Sequence, residues 1–254
     1  MILNQFDPNP RAVINPEDTV QPVPGFPKVG VSCFSYKLFD RMIEPFHPKP
    51  IAKLHLANVT MPVYEIEFRG ARLAAYVSPV GGPACVGVYE DALALGLEKL
   101  VLFGNCGVLD RSIEDCSIII PTSAVRDEGT SYHYAPASDE ITVNPTGIGA
   151  FRRILDGHGC AHTLGKLWTN DAIYRETPTK VAARRAMGCV GVEMEAACMA
   201  AAAQFRQKEL FHFIYAGDNL DGDRWDPRSL GGSVNLDAKM KVALLALEMA
   251  AQWC

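Results

Sequence analysis

Long apolar runs and clusters of basic residues are both missing from this chain of 254 residues. No stretch reaches the ~18 consecutive apolar residues that a membrane-spanning helix needs, so a membrane protein is not expected. Lys and Arg form no run and the formal net charge is −5, which argues against a nucleic-acid partner. Residues 1–8 do not combine a basic segment with an apolar one, so no secretory signal peptide is predicted.

Cys-x-x-Cys pairs are also missing, although the chain has eight cysteines. Neither a zinc-binding motif nor a disulfide framework is therefore predicted, and no metal site is expected. The cysteines lie scattered and mostly within apolar stretches, which is typical of buried thiols in a reducing cytoplasm. We therefore expect a cytoplasmic protein, and its 48% hydrophobic and 21% charged content is ordinary for a globular enzyme.

Two segments differ in composition. Residues 1–27 are rich in proline and have no helical periodicity, which predicts an extended N-terminal arm. Such an arm would either wrap a neighbouring subunit or lie on the surface as coil. Residues 28–254 show no internal repeat and no further break in composition, so we expect a single domain there.

Within residues 28–254, short apolar strands alternate with helices. The predicted strands are 29–33, 63–68, 73–78, 100–103, 117–121, 161–169, 189–192 and 210–216. The predicted helices are 36–44, 85–95, 149–157, 178–187, 194–205 and 235–253. This alternation predicts an α/β fold, a three-layer αβα sandwich with a central twisted sheet that is mixed and largely parallel.

The segment 191–197 carries two carboxylates, Glu193 and Glu195, on either side of Met194 in an almost wholly apolar run. It lies where a strand ends and a helix begins. An acid at a helix N-terminus is favourable by ~0.3–1 kcal/mol, which would account for one of the two. A second carboxylate needs solvent or hydrogen-bond donors from a ligand. Because ligands of open α/β sheets bind beyond the carboxyl ends of strands, this junction is a candidate site.

Two further strand ends complete a pattern with this segment: Gly-Asn-Cys-Gly at 104–107 and Gly-Asp-Asn at 217–219. In order and spacing the three segments resemble the nucleoside phosphorylase-I family. That family includes hexameric purine nucleoside phosphorylases, uridine phosphorylases and methylthioadenosine nucleosidases. The resemblance extends from about Lys28 to the C-terminus, and its most specific part is the Val-Glu-Met-Glu-Ala-Ala sequence.

The resemblance implies a role for each matching residue. Glu195 would accept hydrogen bonds from the ribose 2′ and 3′ hydroxyls, and Met194 would lie under the sugar. Glu193 would lie near the base. Asp218 would donate a proton to a purine base as it leaves, which requires a carboxyl group with a raised pKa. Without the other motifs, an Asp-Asn turn would explain Asp218 equally well.

The family pattern also implies which residues contact the base. They are Cys106, Gly107 and Ile173, with Ile173 where an aromatic residue often covers the base. Uridine-specific members carry a Gln and an Arg that read the pyrimidine, and the corresponding stretch 171–179 lacks this pair. Together with Asp218, this favours a purine. The polar and aromatic segment 126–134 resembles a family loop near the active site, with a solvated loop as the alternative.

The phosphate site departs from the family pattern. Phosphorylases of this family hold phosphate with arginines, but 30–35 and 102–105 contain none. Gly30 and Asn105 remain as candidate phosphate donors, and Arg126, Arg175 or an arginine of a neighbouring subunit would have to supply the charge. The glutamate that activates water in the nucleosidases is missing near Ser35 as well.

Phosphorolysis of a purine nucleoside, with inorganic phosphate as co-substrate and no other cofactor, is therefore the leading expectation. Hydrolysis and a catalytically silent nucleoside-binding protein stay open. The resemblance further implies a homo-oligomer, either a dimer or a trimer of dimers. It also implies an arginine that reaches the catalytic acid, for which Arg224 and Arg228 are candidates.

Overall fold

A computed structural model of the protein describes residues 2–222, 224–231 and 233–254. Ten strands form one sheet. They are β1 (Val29–Cys33), β2 (Lys49–Leu56), β3 (Val59–Phe68), β4 (Ala71–Val77), β5 (Lys99–Val108), β6 (Ile118–Asp127), β7 (Glu140–Thr142), β8 (His162–Asn170), β9 (Cys189–Glu193) and β10 (Glu209–Asn219).

Seven α-helices accompany these strands within the described part of the chain. They are α1 (Pro16–Thr19), α2 (Tyr36–Ile43), α3 (Gly82–Leu95), α4 (Ile148–Gly157), α5 (Pro178–Ala186), α6 (Ala196–Phe205) and α7 (Leu236–Gln252). Local sequence fixes several of their ends. Ser35 caps α2 by accepting the Leu38 N–H, and Thr177 caps α5 by accepting the Lys180 N–H, with Pro178 in its first turn.

The strand order is β10-β6-β8-β9-β5-β1-β4-β3-β2, with β7 on β6 and an additional pairing of β10 with β5. The sheet is mixed, as predicted. Parallel pairings join β1 to β4 and β5, β5 to β10, and β8 to β6 and β9. Antiparallel pairings hold the β2-β3-β4 meander and join β9 to β5 and β6 to β10 and β7.

Helices cover both faces of the sheet, which confirms the predicted three-layer sandwich. Alternation along β5 shows the two layers: Val101 and Phe103 pack with α2, α4 and α7, whereas Leu100 and Leu102 pack with α3 and α6. Because β5 is buried on both faces, its first half reads as a continuous apolar run.

Several elements differ from the sequence prediction. β5 and β10 continue through 104–107 and 217–219, beyond the predicted strand ends at 103 and 216, because β5 and β10 stay paired there. α6 begins at Ala196 instead of 194, since Glu195 has the non-helical φ of −135°. Strand β2 was not predicted, because most of its residues are exposed or half-buried. No helix in the described ranges is both long and apolar enough to span a bilayer.

The proline-rich segment contacts its own chain. Phe26 is buried, the Val23 N–H donates to the Leu95 carbonyl (3.0 Å), and the Pro10 carbonyl accepts from Arg206 (2.9 Å). The segment also contains the four-residue helix α1, which begins with a capping box. This helix was not predicted, because the segment is rich in proline. Met1, the first residue of the predicted arm, lies outside the described residues.

Candidate functional site

A cavity of about 940 Å³ opens at the edge of the sheet where β5, β9 and β10 end. It brings together most of the residues that the sequence singled out. Those on its wall are Asn105, Cys106, Gly107, Ile173, Glu193, Met194, Glu195 and Asp218. The two carboxyl groups assigned to sugar and base therefore share one cavity.

Gly107 explains how these segments meet. It is paired with Asp218 of β10 on one side and with Val192 of β9 on the other. A Cβ at this position would lie 2.3 Å from the Leu220 Cδ1 and 3.3 Å from the Asp218 Oδ1. Glycine thus permits the close approach that places Asp218 and the Glu193–Glu195 segment on one wall.

Gly30 does not join this cavity, which corrects its assignment to phosphate. It lies near the start of β1, paired with Ala74 and Leu100. Leu100 precedes Asn105 by five residues on the neighbouring strand, a separation of about 16 Å along the sheet. A Cβ on Gly30 would meet the Cδ1 of Leu97, in the loop between α3 and β5, at 2.9 Å, so this glycine permits close packing of that loop on β1.

Glu193 is the carboxylate that caps a helix. Its Oε1 accepts from the Thr169 hydroxyl (2.6 Å), and its Oε2 accepts the N–H groups of Glu195 (2.7 Å) and Ala196 (2.6 Å) at the start of α6. Both oxygens are thus bound within the protein. These contacts therefore favour a helix-capping role for Glu193 over the role near the base that the resemblance implies.

Glu195 presents its carboxyl group to the cavity. It is 5% exposed, and its Oε1 accepts the Gly81 N–H at 2.6 Å. Gly81 has a φ of +97°, a conformation that favours glycine. Burial, followed by the charge of Glu193, raises the pKa of Glu195. Hydroxyl groups of a ligand would supply the donors that a buried carboxylate at this position needs.

Asp218 lies at a bulge of β10, directly after Gly217. It is 7% exposed, and burial raises its pKa, with an indole hydrogen bond acting in the opposite direction. The donor of that bond is Trp225, whose Nε1 lies 2.7 Å from the Asp218 Oδ2. Of the two candidate arginines, Arg228 donates to the Ile113 carbonyl (2.7 Å) and acts on Asp218 through its charge, and Arg224 lines the cavity. The hydrogen bond that was expected from an arginine comes from the indole instead.

Comparison with known proteins agrees with this geometry. The sequence pattern of the phosphorylase superfamily matches residues 28–250. The chain belongs to the nucleoside phosphorylase-I family. It is 28% identical over 208 residues to a DeoD-type purine nucleoside phosphorylase of Hahella chejuensis, covering 76% of this chain and 86% of that protein. It is 25% identical over 170 residues to an uncharacterized protein of Acanthamoeba polyphaga mimivirus, covering 67% of this chain and 65% of that protein.

Two solved structures share the fold of this phosphorylase-family chain. Uridine phosphorylase from Vibrio fischeri superposes with a TM-score of 0.74 at 17% identity, covering 93% of this chain and 94% of that one. Purine nucleoside phosphorylase from Toxoplasma gondii, in complex with immucillin-H, gives a TM-score of 0.74 at 16% identity and covers 93% of each chain. At these identities the likeness shows the fold alone.

Arg126 donates its hydrogen bonds within its own chain and does not line the cavity. It is 4% exposed and donates to the Ser131 hydroxyl (2.8 Å), the Pro136 carbonyl (2.6 Å) and the Ser138 hydroxyl (2.8 Å). Tyr132 covers its guanidinium at 4.1 Å. Arg126 thus holds the segment 126–138 together, and Arg175 is exposed beside the cavity without lining it.

Sequence reasoning missed several cavity residues of this phosphorylase fold. Trp225 had no motif to mark it, and its contact with Asp218 depends on the path of the intervening chain. Glu176 also lines the cavity, and burial raises its pKa to about 7. At the rim, Asp221 is bound by the side chains of Arg111 and Arg185. The described residues contain no cluster of His, Cys, Asp and Glu that could hold a metal ion.

Proposed function

We propose that the protein cleaves the N-glycosidic bond of a purine nucleoside with inorganic phosphate as co-substrate and no further cofactor. The products would be the free base and ribose 1-phosphate. One observation carries the proposal: Glu195 and Asp218, the carboxyl groups suited to sugar and base, line the same cavity. Its volume of about 940 Å³ lies within the range of small-molecule sites.

The sugar would bind between Glu195 and Met194. A carboxylate accepts two hydroxyl hydrogen bonds at once, which suits the 2′,3′-diol of ribose. The Gly81 N–H fixes the Glu195 carboxylate from behind at 2.6 Å, so its orientation is set before substrate arrives. Met194 supplies a soft apolar surface for the ribose ring, on which positive charge develops as the bond breaks.

Asp218 would act on the base. As a phosphate oxygen bonds to C1′, the electron pair of the C1′–N bond moves to the base, and the Asp218 carboxyl group donates its proton there. The proton that leaves the phosphate then restores the acid. General-acid catalysis of this kind contributes ~10²–10⁴-fold, and it needs the protonated carboxyl group that burial favours at Asp218.

Three observations support a purine over a pyrimidine. A carboxyl group with a raised pKa lies on the cavity wall at Asp218, where a purine nitrogen could take its proton. The stretch 171–179 lacks the Gln and Arg pair of the uridine-specific members. Glu176 adds a second carboxyl group to the wall, and a purine edge offers donors and acceptors to match it.

One assay tests the proposal against its alternatives. Purified protein is incubated with inosine, adenosine, guanosine, methylthioadenosine and uridine, each with and without phosphate, and free base is measured by chromatography. Base release from a purine nucleoside only when phosphate is present supports phosphorolysis. Release without phosphate would identify a hydrolase, saturable binding without release a nucleoside-binding protein, and preference for uridine would contradict the purine assignment.

We further propose a homo-oligomer in the cytoplasm. Ile173 and Tyr174, beside the cavity mouth, are 53% and 94% exposed, and a neighbouring subunit would cover such apolar side chains. All eight cysteines are free, which suits a reducing compartment. Light scattering after size-exclusion chromatography tests the assembly, and a monomer at micromolar concentration would contradict it.

A further inference from the structure

A second, smaller cavity of about 290 Å³ adjoins the first. The two cavities share part of their walls, namely Phe34, Val80, Asn105 and Leu230. Val80 directly precedes Gly81, whose N–H holds the Glu195 carboxylate. A ligand in the smaller cavity would therefore lie next to the position proposed for the sugar.

Lys239, on α7, lines this smaller cavity and is only 3% exposed. Its Nζ donates to the carbonyl oxygens of Ser229 and Gly231, the latter at 3.1 Å. An ammonium group has three N–H donors, so one remains after these two contacts. No ion pair within 4 Å joins the Lys239 Nζ to a carboxylate of the described residues. The acid whose charge acts on Lys239 is Asp115, whose oxygens already accept from the Ser229 hydroxyl (2.6 Å) and the Asn235 amide (2.5 Å).

The other polar groups of the smaller cavity are neutral. Ser35, Asn105 and Tyr215 contribute a hydroxyl, an amide and a phenol, and no Asp or Glu among the described residues lines the wall. A cavity wall of the described residues with one buried cation and neutral donors, and no acid, is the composition of a site for an oxyanion. Burial lowers the pKa of Lys239, and a bound anion would favour its charged form.

We propose that Lys239 is the cation that holds inorganic phosphate in this protein, with Asn105 and Ser35 as neutral donors around it. The inference rests on the proposed phosphorolysis and identifies the charge that replaces the arginines absent from 30–35 and 102–105. Phosphate bound in the smaller cavity would face the sugar from the side of Phe34 and Val80, which both cavities share.

A purely structural role for Lys239 is the competing explanation, because its Nζ ties the segment 229–231 to α7. Two variants separate the explanations. Lys239→Met removes the charge and also the two carbonyl contacts. Asn105→Asp leaves those contacts in place but adds a negative charge to the wall of the smaller cavity. Lys241→Met removes an exposed lysine from the same helix and is the matched control.

The experiment follows thermal unfolding and nucleoside cleavage while inorganic phosphate is titrated against sodium chloride of equal ionic strength. Circular dichroism first establishes that each variant is folded. Phosphate is expected to raise the unfolding temperature of the native protein and of Lys241→Met. In Lys239→Met and Asn105→Asp we expect the phosphate concentration needed for half of this effect, and the KM for phosphate, to rise by roughly 10-fold or more.

Each other result has a defined consequence. The proposal is wrong if phosphate fails to stabilise the native protein, or if folded Lys239→Met keeps the native response to phosphate. A lower unfolding temperature of Lys239→Met with an unchanged phosphate response would show a structural tether only. Lys239-dependent stabilisation by phosphate without release of any base would support the phosphate site and refute the proposed phosphorolysis, so the two failures are distinguishable.

Discussion

The Trp225 indole donates a hydrogen bond from its Nε1 to the Oδ2 of Asp218, at 2.7 Å. The donor is neutral and has a single N–H, whereas the arginine that the family resemblance implies here would be a cation with several donors. A neutral donor favours the carboxylate less strongly than a guanidinium would. The indole hydrogen bond and the charge of Arg228 offset only part of the effect of burial, and the pKa of Asp218 stays raised.

Replacement of Trp225 by Phe removes the donor and keeps an aromatic ring. We expect the kcat for purine nucleoside cleavage to fall about 3- to 10-fold, because the acid loses the bond that orients it. The bond to Trp225 lowers the pKa of Asp218, so its loss raises that pKa. A general acid works in its protonated form, so the alkaline limb of the kcat profile should move to higher pH. Trp253→Phe, at the end of the chain, is the control, and a profile that does not move would contradict the role of Trp225.

Asp218→Asn tests the acid itself. The amide keeps the shape of the side chain and an oxygen that can accept from Trp225, but it has no proton to give. We expect kcat to fall by ~10²–10⁴ while the nucleoside Kd changes by less than about threefold. Stopped assays of base release and calorimetric titration measure the two quantities. Equal losses in turnover and affinity would point to a structural role for Asp218.

Glu193 and Glu195 should respond differently to the same conservative change. In Glu193→Gln one oxygen must replace the two that serve Thr169 and the start of α6, so the free energy of unfolding should fall by about 1–2 kcal/mol. In Glu195→Gln the amide oxygen still accepts from Gly81, and stability should change little. Its amide group donates where ribose hydroxyls need an acceptor, so the nucleoside Kd should rise at least about 10-fold.

Urea unfolding and nucleoside titration of both variants give the comparison. If Glu193→Gln impairs binding more than Glu195→Gln does, the assignment of the two carboxylates is reversed. If Glu195→Gln is the less stable variant, Glu195 is mainly structural.

Much of the fold was predictable because its core strands are buried on both faces. The strand over 29–33 was predicted with the bounds that the structure has, since all five residues are buried. The second half of β5 was not, because Gly104 and Asn105 interrupt its apolar run. Pairing with β10, and with β9 at Gly107 and Val108, keeps that half extended, and such pairing depends on segments far away in the sequence.

The site was predictable where one local motif carried it. Glu195 follows the end of β9, Asp218 lies near the end of β10, and both line the cavity. Gly30 was misassigned because a glycine in a strand serves packing or ligand approach equally well, and only register decides between them. Lys239 and Trp225 belong to no motif. Their proximity to the cavity arises from the path of the chain after β10, which the sequence pattern does not specify.

His212 predicts a pH dependence of stability. It is fully buried in β10, both ring nitrogens lack a hydrogen-bond partner in the described part of the chain, and burial lowers its pKa to about 3. A histidine in the unfolded chain has a pKa near 6.5. The stability that neutral His212 contributes is therefore complete above pH 6.5. The free energy of unfolding falls as the pH falls from 6.5 towards 3, because the unfolded chain then binds a proton that the folded protein does not. At pH 5 the loss amounts to about 2 kcal/mol.

His212→Leu removes this titration and the unpaired nitrogens. Its advantage in the free energy of unfolding over the native protein should therefore grow by about 2 kcal/mol between pH 7.5 and pH 5. Burial raises the pKa values of Glu193 and Glu195, which gives a slope of opposite sign, but this slope is common to both proteins and cancels in the difference. Urea unfolding at a series of pH values measures the difference. A constant difference would show that His212 is protonated, or solvated, in the folded state.

Two glycines offer a matched pair of substitutions. Gly87 lies inside α3 with open space where a Cβ would be, so Gly87→Ala should raise the free energy of unfolding by about 0.5–1 kcal/mol.

Gly107 lies between β9 and β10, and a Cβ there would be 2.3 Å from the Leu220 Cδ1. Gly107→Ala should lower the free energy of unfolding by about 1–3 kcal/mol, since strands on both sides prevent its backbone from moving away. It should also reduce base release, because the new methyl group displaces Leu220 and crowds the Asp218 carboxyl group. Urea unfolding and the cleavage assay measure both effects, and native-like activity of Gly107→Ala would contradict the close approach that places Asp218 in the cavity.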